Sequence, residues 1–349
     1  MKAVYICLAI VLLSAVSCER KTAMKKEFPD VRELSANVLK INEIFKFGKI
    51  YKLTDYVVIS DRSDNAENFF YVYRYPGFDF LYSFAKKGSG PLEYLMPTAF
   101  NQTPGNHFSF RDHGKSLFAA FLLTDTAAIL TFTGDLEPTE NDRFMDEINQ
   151  VGDSLFLLKR QSARYIKREL WNLYAKELID SIPNTFDLKK TMGDDYYAAY
   201  EEFYLSSRNE RFVQCYLFMD AIEIGVIEDH RIHVRKRLGM QKPPEFYLMQ
   251  KMGGPYGVEF LSNVMYYEGV ACGEKHIYAL YANMAMGHFA LHPSEHSSHI
   301  EVYTWEGDPV AVFKINQSVQ DIFVDEDTKT IYGINPEACE DCIFEYKFD

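Results

Sequence analysis

Long apolar runs are scarce in this chain. The longest, Ala3 to Val16, has 14 residues, short of the about 20 that a bilayer-spanning helix needs. Tryptophan occurs only twice. Basic charge is also in deficit, with 37 Lys and Arg against 50 Asp and Glu and a formal charge of −13. A chain this acidic repels phosphate backbones, so no nucleic acid is expected as a partner. Familiar catalytic signatures are missing as well. There is no Gly-x-Ser-x-Gly elbow for an activated serine and no His-Glu-x-x-His pair for a metalloprotease zinc. Lys86-Lys87-Gly88-Ser89-Gly90 carries the glycines of a phosphate loop, but no Lys-Ser/Thr pair or helix start follows Gly90. That reading therefore fails.

The N-terminus has a clear order: a charged start (Met1-Lys2), the apolar run, then Ser17-Cys18. This is the arrangement of an export signal. Leu13-Ser14-Ala15-Val16-Ser17-Cys18 resembles a bacterial lipobox, with Ala15 where Leu is usual. The resemblance implies cleavage before Cys18 and acylation of that residue. The competing reading is an ordinary signal peptide that happens to hold a cysteine. Two or more acyl chains hold a protein stably at a bilayer, and lipoproteins with this pattern carry three. The expected organisation is a signal peptide over residues 1–17, a lipid-anchored tether over 18–35 and a folded domain over 36–349. The expected location is the bacterial envelope, at the outer membrane, with the lipid bilayer itself as a partner through Cys18.

Hydrophobic residues make up 47% of the chain, and 24 Tyr and 27 Phe favour pleated, half-buried surfaces. Short aromatic and β-branched runs alternate with turn residues, as in an all-β protein. Tyr56–Ser60, Phe69–Tyr75 and Phe78–Phe84 form one such series. His276–Tyr281, Ile300–Trp305 and Val310–Ile315 form another, with Glu306-Gly307-Asp308-Pro309 as a turn. Successive strands with tight turns make the meander of a propeller blade. Blade-opening strands are expected near Tyr56, Ser116, Ser154, Phe212, Ile277 and Ile331, which predicts six blades. The last two strands, Thr330–Ile334 and Ile343–Phe348, leave a blade incomplete. An open edge invites pairing, so Ala36–Ile41 is predicted to close the ring by joining that blade. A short helix over residues 31–46 competes with this reading. Helices are also open over Tyr165–Leu178 and Asp194–Phe203.

The segment Lys86-Lys87-Gly88-Ser89-Gly90-Pro91-Leu92-Glu93-Tyr94 resembles the glycine-proline connection of TolB-like six-bladed propeller lipoproteins. The stretch from Tyr278-Ala279-Leu280-Tyr281 through Trp305-Glu306-Gly307 and Val324-Asp325-Glu326 to Ile331-Tyr332 is similar to their closing blades. The resemblance implies a six-bladed ring and an exported location. It carries no catalytic residues with it. Gly88 and Gly90 would permit positive φ in the crossover, and Lys251–Gly257 reads as a second such connection.

After Cys7 leaves and Cys18 is acylated, Cys215, Cys272, Cys339 and Cys342 remain. Three full pairings are possible, and the sequence does not choose. Cys339-Glu340-Asp341-Cys342 is half a zinc motif without its other half, so a small disulfide or free thiols in a loop is expected. His288, His292, His296 and His299 have spacings that could share a metal on one helix face, but Pro293 interrupts the helix. Asp55, Asp61, Asp112, Asp153 and Asp325 sit near proposed strand ends, where they could gather around a channel and hold Ca2+; ordinary turn capping explains them equally. The expected function is a membrane-anchored binding or scaffold protein for a protein, peptide or glycan, with Tyr196, Tyr197, Tyr266 and Tyr267 as candidate contact residues. The alternative is a calcium-dependent hydrolase or lactonase.

Overall fold

The computed structural model describes residues 27–101, 105–135, 144–162, 165–186, 188, 198–242, 244 and 260–349. Two short strands, β1 (Val31–Leu34) and β2 (Asn37–Lys40), precede the first complete sheet. Blade I is β3 (Phe47–Lys52), β4 (Tyr56–Asp61), β5 (Asn68–Arg74) and β6 (Asp79–Lys86). Blade II is β7 (Pro97–Ala99), β8 (His107–Asp112), β9 (Leu117–Leu123) and β10 (Ala128–Asp135). Blade III is β11 (Phe144–Gln150), β12 (Leu155–Ser162), β13 (Tyr165–Asn172) and β14 (Glu177–Pro183). Blade IV is β15 (Phe203–Arg208), β16 (Arg211–Tyr216), β17 (Ala221–Glu228) and β18 (Arg231–Gly239). Blade V is β19 (Val264–Cys272), β20 (His276–Ala285), β21 (Ser297–Thr304) and β22 (Pro309–Val319). Blade VI has β23 (Asp321–Asp325), β24 (Thr330–Ile334) and β25 (Cys342–Lys347). Each blade is an antiparallel meander, and the first strand of each lies innermost, against its counterparts in other blades.

Why the ring holds follows from the two-residue period of a strand. In β4, Val57 and Ile59 enter the core shared with blade VI, while Tyr56 and Val58 enter the core shared with blade II. In β24, Ile331 faces blade V and Tyr332 faces blade I. Strands covered on both faces read as near-continuous apolar runs rather than alternating ones. Six apolar clusters result, one at each junction between blades. Each fully buried Phe, Leu or Ile in them contributes about 1.5–3 kcal/mol.

The ring is closed as expected. β2 pairs antiparallel with β25, from Asn37↔Glu345 to Lys40↔Cys342, and completes blade VI. An unforeseen addition is β1, which pairs parallel with β22 and gives blade V a fifth strand. Residues 31–34, read from sequence as tether, are therefore part of the sheet structure.

Other expectations need correction. The proposed blade openers Tyr56, Ser154, Phe212, Ile277 and Ile331 fall at the second strand of their blades, and Ser116 precedes the third strand of blade II. The true inner strands are more polar because they face a channel, so their apolar signal is weak. Tyr165–Leu178 is not helical but contains β13 and the start of β14. Its charges suggested a solvated helix face, yet Arg168 and Glu169 are buried in ion pairs with Glu223 and Arg160. Within 194–203, Ala198–Glu201 is a 3-10 turn and Phe203 opens β15. Of the proposed crossover glycines, Gly88 has a positive φ of 148°, whereas Leu92 takes the next left-handed position at 63°. A Cβ at Gly88 would collide with the Glu93 carboxylate, which caps the Gly90 N–H at 2.9 Å. Lys251–Gly257 lies outside the described residues.

Candidate functional site: the mouth of the channel

Each inner strand ends in a turn that leads to the second strand of its blade. These turns converge at one end of the ring around a cavity of about 690 Å3, to which all six blades contribute. Blade I supplies Lys52 and Thr54, blade II Gly105, blade III Asp153, blade IV Arg208 and Glu210, blade V Glu274 and Lys275, and blade VI Asp325 to Asp327. Six carboxylates face three cations in this lining.

Half of those carboxylates are held by the protein. The Tyr75 hydroxyl donates to Asp325 at 2.5 Å, and the Asp327 and Thr328 N–H groups donate at 3.0 and 3.1 Å. Burial pushes the Asp325 carboxyl up, but these bonds and nearby Lys52 outweigh it and hold the group below its ordinary value. Glu326 accepts the Lys275 and His276 N–H groups at 2.8 and 3.0 Å and the Tyr278 hydroxyl at 3.1 Å. Glu274 takes Arg208 Nε at 2.7 Å. The side chains of Asp153, Glu210 and Asp327 have no partner among the described residues. Lys52 is turned inward: its ammonium lies 3.9 Å from the Tyr75 ring centroid and donates to Thr54 O at 3.0 Å. Desolvation lowers its pKa.

Deeper in the channel, charge is compensated. Glu147 sits at a β-bulge in β11 with φ of 48°, a conformation that costs a non-glycine residue about 1–3 kcal/mol and re-aims its side chain. Its carboxylate lies 3.5 Å from Lys49 Nζ and accepts from Asn101 Nδ2 at 3.3 Å. Glu147 holds the Lys49 ammonium well above its ordinary pKa, against the pull of burial. Burial pushes Glu147 up, and Lys49 with Lys159 outweighs it, leaving the carboxyl low. Asp321, which accepts Ile50 N–H at 3.1 Å, is raised by burial.

The residues singled out from sequence are scattered. Asp153 and Asp325 line the mouth, and Asp55 is beside it, accepting Asn106 Nδ2 at 2.7 Å. Asp61 and Asp112 are buried at the other ends of their strands. Asp61 caps the N–H groups of Phe45 and Ser63 at 2.8 and 2.7 Å. Asp112 accepts those of Leu95, Met96 and Gly114 at 2.7, 3.0 and 2.9 Å. Those two hold turns and do not reach the mouth. His288 opens onto the surface from a one-turn helix, α1 (Met286–Leu291), and shares Glu295 with His292, at 2.8 and 3.7 Å. His296 points away from them into the protein, 3.3 Å from buried Glu268. Tyr267 is buried with its hydroxyl on Glu301 at 2.8 Å, and Tyr266 is half-buried beside it. Tyr196, Tyr197 and Cys18 lie outside the described residues.

Among the described residues, the single trio of potential metal ligands within 4.8 Å of one another is Cys339, Asp341 and Cys342. Its two sulfurs are joined in a disulfide, while Cys215 and Cys272 are buried thiols. The carboxylates proposed for Ca2+ thus form no ready cage, and both oxygens of Asp325 are already occupied by hydrogen bonds. Sequence reasoning missed Lys52, Arg208, Glu210, Glu274 and Lys275. The available signal was the polar turn after each inner strand, as in Arg208-Asn209-Glu210 and Gly273-Glu274-Lys275.

Six sequential meanders around a polar channel narrow the choice of family, and a sequence match decides it: residues 27–327 match the TolB-like 6-blade propeller-like family. The chain belongs to this TolB-like family. Solved structures agree on the fold. A Bacteroides fragilis protein described as exported is 14% identical, with a TM-score of 0.59 over 92% of this chain and 97% of its own. The Cps50 β-propeller domain of Myceliophteria thermophila is 8% identical, with a TM-score of 0.51 over 90% of this chain and 100% of that one. A luciferin-regenerating enzyme is 10% identical, also at 0.51, over 90% and 95%. No curated protein matches the chain by sequence.

Proposed function

We propose that this TolB-like propeller is a membrane-anchored binding protein of the bacterial envelope whose channel mouth receives a cationic segment of a protein or peptide partner. The observation that carries the reading is the unpaired charge at the mouth. Asp153, Glu210 and Asp327 come from three different blades and face a cavity of about 690 Å3 without side-chain partners among the described residues. Fixed carboxylates at a concave, partly enclosed site attract Lys or Arg side chains and speed their encounter. Because each sits on a short turn of a packed blade, little ordering is required on binding.

The anchor supports the same reading. The signal ending at Cys18, together with the fold likeness to a Bacteroides protein described as exported, favours an envelope location. Phe28 packs on Tyr303 at 5.3 Å, and neighbouring Trp305 donates to Gly273 O in the mouth lining. The chain thus enters the fold on the mouth side. Cys18 to Lys26 can span about 30 Å at most, so an acylated Cys18 keeps the mouth close to the bilayer and to partners there.

The test is fluorescence anisotropy with a labelled Lys/Arg-rich peptide and an acidic peptide of equal length. The cationic peptide should bind, and binding should weaken with salt. The variant D153N/E210Q/D327N should bind it at least about tenfold more weakly, the equivalent of about 1.4 kcal/mol. Equal affinity for both peptides, or for variant and parent, would overturn the proposal. Cys18→Ala should move the protein to the soluble envelope fraction; unchanged membrane retention would refute the anchor.

A further inference from the structure

We propose that the Cys339–Cys342 disulfide is a thiol-exchange site that sets how firmly the propeller ring is closed. The four-stranded meanders of blades I to V are each one continuous stretch of chain, with β1 added at the edge of blade V, whereas blade VI reaches four strands only with β2, from the opposite end of the domain. That closure rests on four residue pairs, the last being Lys40↔Cys342. The two residues enclosed by the disulfide extend it. Asp341 O accepts the Ile41 N–H at 2.9 Å, and Glu340 O accepts the Phe47 N–H at 3.1 Å. Lys40 Nζ also binds the Asp341 carboxylate at 2.5 Å. The small covalent loop therefore presents the carbonyls that hold the chain between β2 and β3.

The two sulfurs differ in access. Cys342 is buried at 3% exposure, while Cys339 is partly exposed and has the Lys40 ammonium 3.8 Å from its sulfur. An incoming thiolate reaches Cys339, where a nearby cation favours its approach. In the exchange, one thiolate of a dithiol bonds to Cys339 Sγ, the Cys339–Cys342 bond breaks, and the electron pair leaves on Cys342 Sγ, which takes up a proton. The second thiolate of the dithiol then attacks its own bound sulfur and releases Cys339. The dithiol is oxidised by two electrons to its disulfide and the protein is reduced to two thiols. With the covalent loop open, Glu340 and Asp341 are no longer fixed as acceptors, and β2 loosens first.

The experiment treats the native protein with dithiothreitol, traps thiols with iodoacetamide and maps them by mass spectrometry. Hydrogen exchange is followed on the same samples. Alkylation is expected at Cys339, and at Cys342 once its β2 partner loosens, and not at Cys215 and Cys272, which lie in β16 and β19 away from the opened edge. Exchange at Ile41, Phe47 and β2 should rise at least about tenfold on reduction, with blades II to IV unchanged, as in a local opening. The double variant C339S/C342S should show the faster exchange without reductant. No alkylation under native conditions, unchanged exchange at Ile41 and Phe47, or alkylation of all four cysteines together would each overturn the proposal.

Discussion

The junction between blades III and IV and the mouth of the channel are both rich in charge, and they use it in opposite ways. At the junction, Glu223 is fully buried and takes Arg168 and Arg237, each at 2.7 Å. Nearby, Arg160 binds Glu169 at 3.0 Å, and Trp171 Nε1 donates to the same carboxylate at 2.7 Å. At the mouth, Asp153, Glu210 and Asp327 face the cavity with no such partner among the described residues. Buried charge must be compensated inside the protein, because desolvation otherwise penalises it heavily. Charge at a wet rim needs no internal partner and stays available to a ligand. The difference separates charge that holds the fold from charge that can recognise something.

Breaking the junction should have the largest effect. Glu223→Ala leaves the buried Arg168 guanidinium and the partly buried Arg237 without their carboxylate, and the expected loss is about 3–5 kcal/mol in urea denaturation. A loss below about 1 kcal/mol would mean that the pairs contribute no more than exposed ones do. Next comes Asp112→Ala, which removes a buried acceptor from several turn N–H groups. About 2–3 kcal/mol should be lost by the same measurement.

A smaller effect comes with acid. Burial pushes the Glu223 carboxyl up, but Arg168 and Arg237 outweigh it, so its folded pKa lies below the ordinary value. The unfolded chain binds the proton first, near pH 4.3. Its contribution is therefore present above about pH 4.3 and is lost as pH falls through the lower folded value. In Arg168→Met, only Arg237 and the Thr185 hydrogen bond are left to oppose burial, so the acid-side loss of stability should begin at higher pH. Denaturation curves from about pH 7 to pH 3 read this directly. Smallest of all is the effect of D153N/E210Q/D327N on stability, expected within about 0.5 kcal/mol per site. A larger loss would show that the mouth charges hold the fold and are not reserved for a partner.

Much of the architecture was legible in the chain. Strands such as Tyr56–Asp61, Asn68–Arg74 and Thr330–Ile334 are apolar on both faces, so composition and spacing mark them without alignment. The closing strand was readable because blade VI otherwise runs short. The inner strands were harder: β3 and β11 carry Lys49 and Glu147 toward the channel, and one polar face blurs the pattern. β13 was misread because its Arg168 pairs with Glu223, 55 residues away, a relation that no local window contains.

The site was less legible for the same reason. Asp61, Asp112, Asp153 and Asp325 are alike as residues near strand ends, yet Asp61 and Asp112 cap turns away from the mouth, while Asp153 and Asp325 line the cavity, Asp325 also capping its own turn. The sequence by itself determined the repeated meander, the acidic balance, the N-terminal signal pattern and the need for a closing strand, because these depend on composition and on residues close in the chain. Only the tertiary structure decided which cysteines pair, which carboxylates are buried and which turns meet at the mouth. Those outcomes depend on how six blades are arranged around one axis, bringing together side chains more than 170 residues apart, such as Asp153 and Asp327.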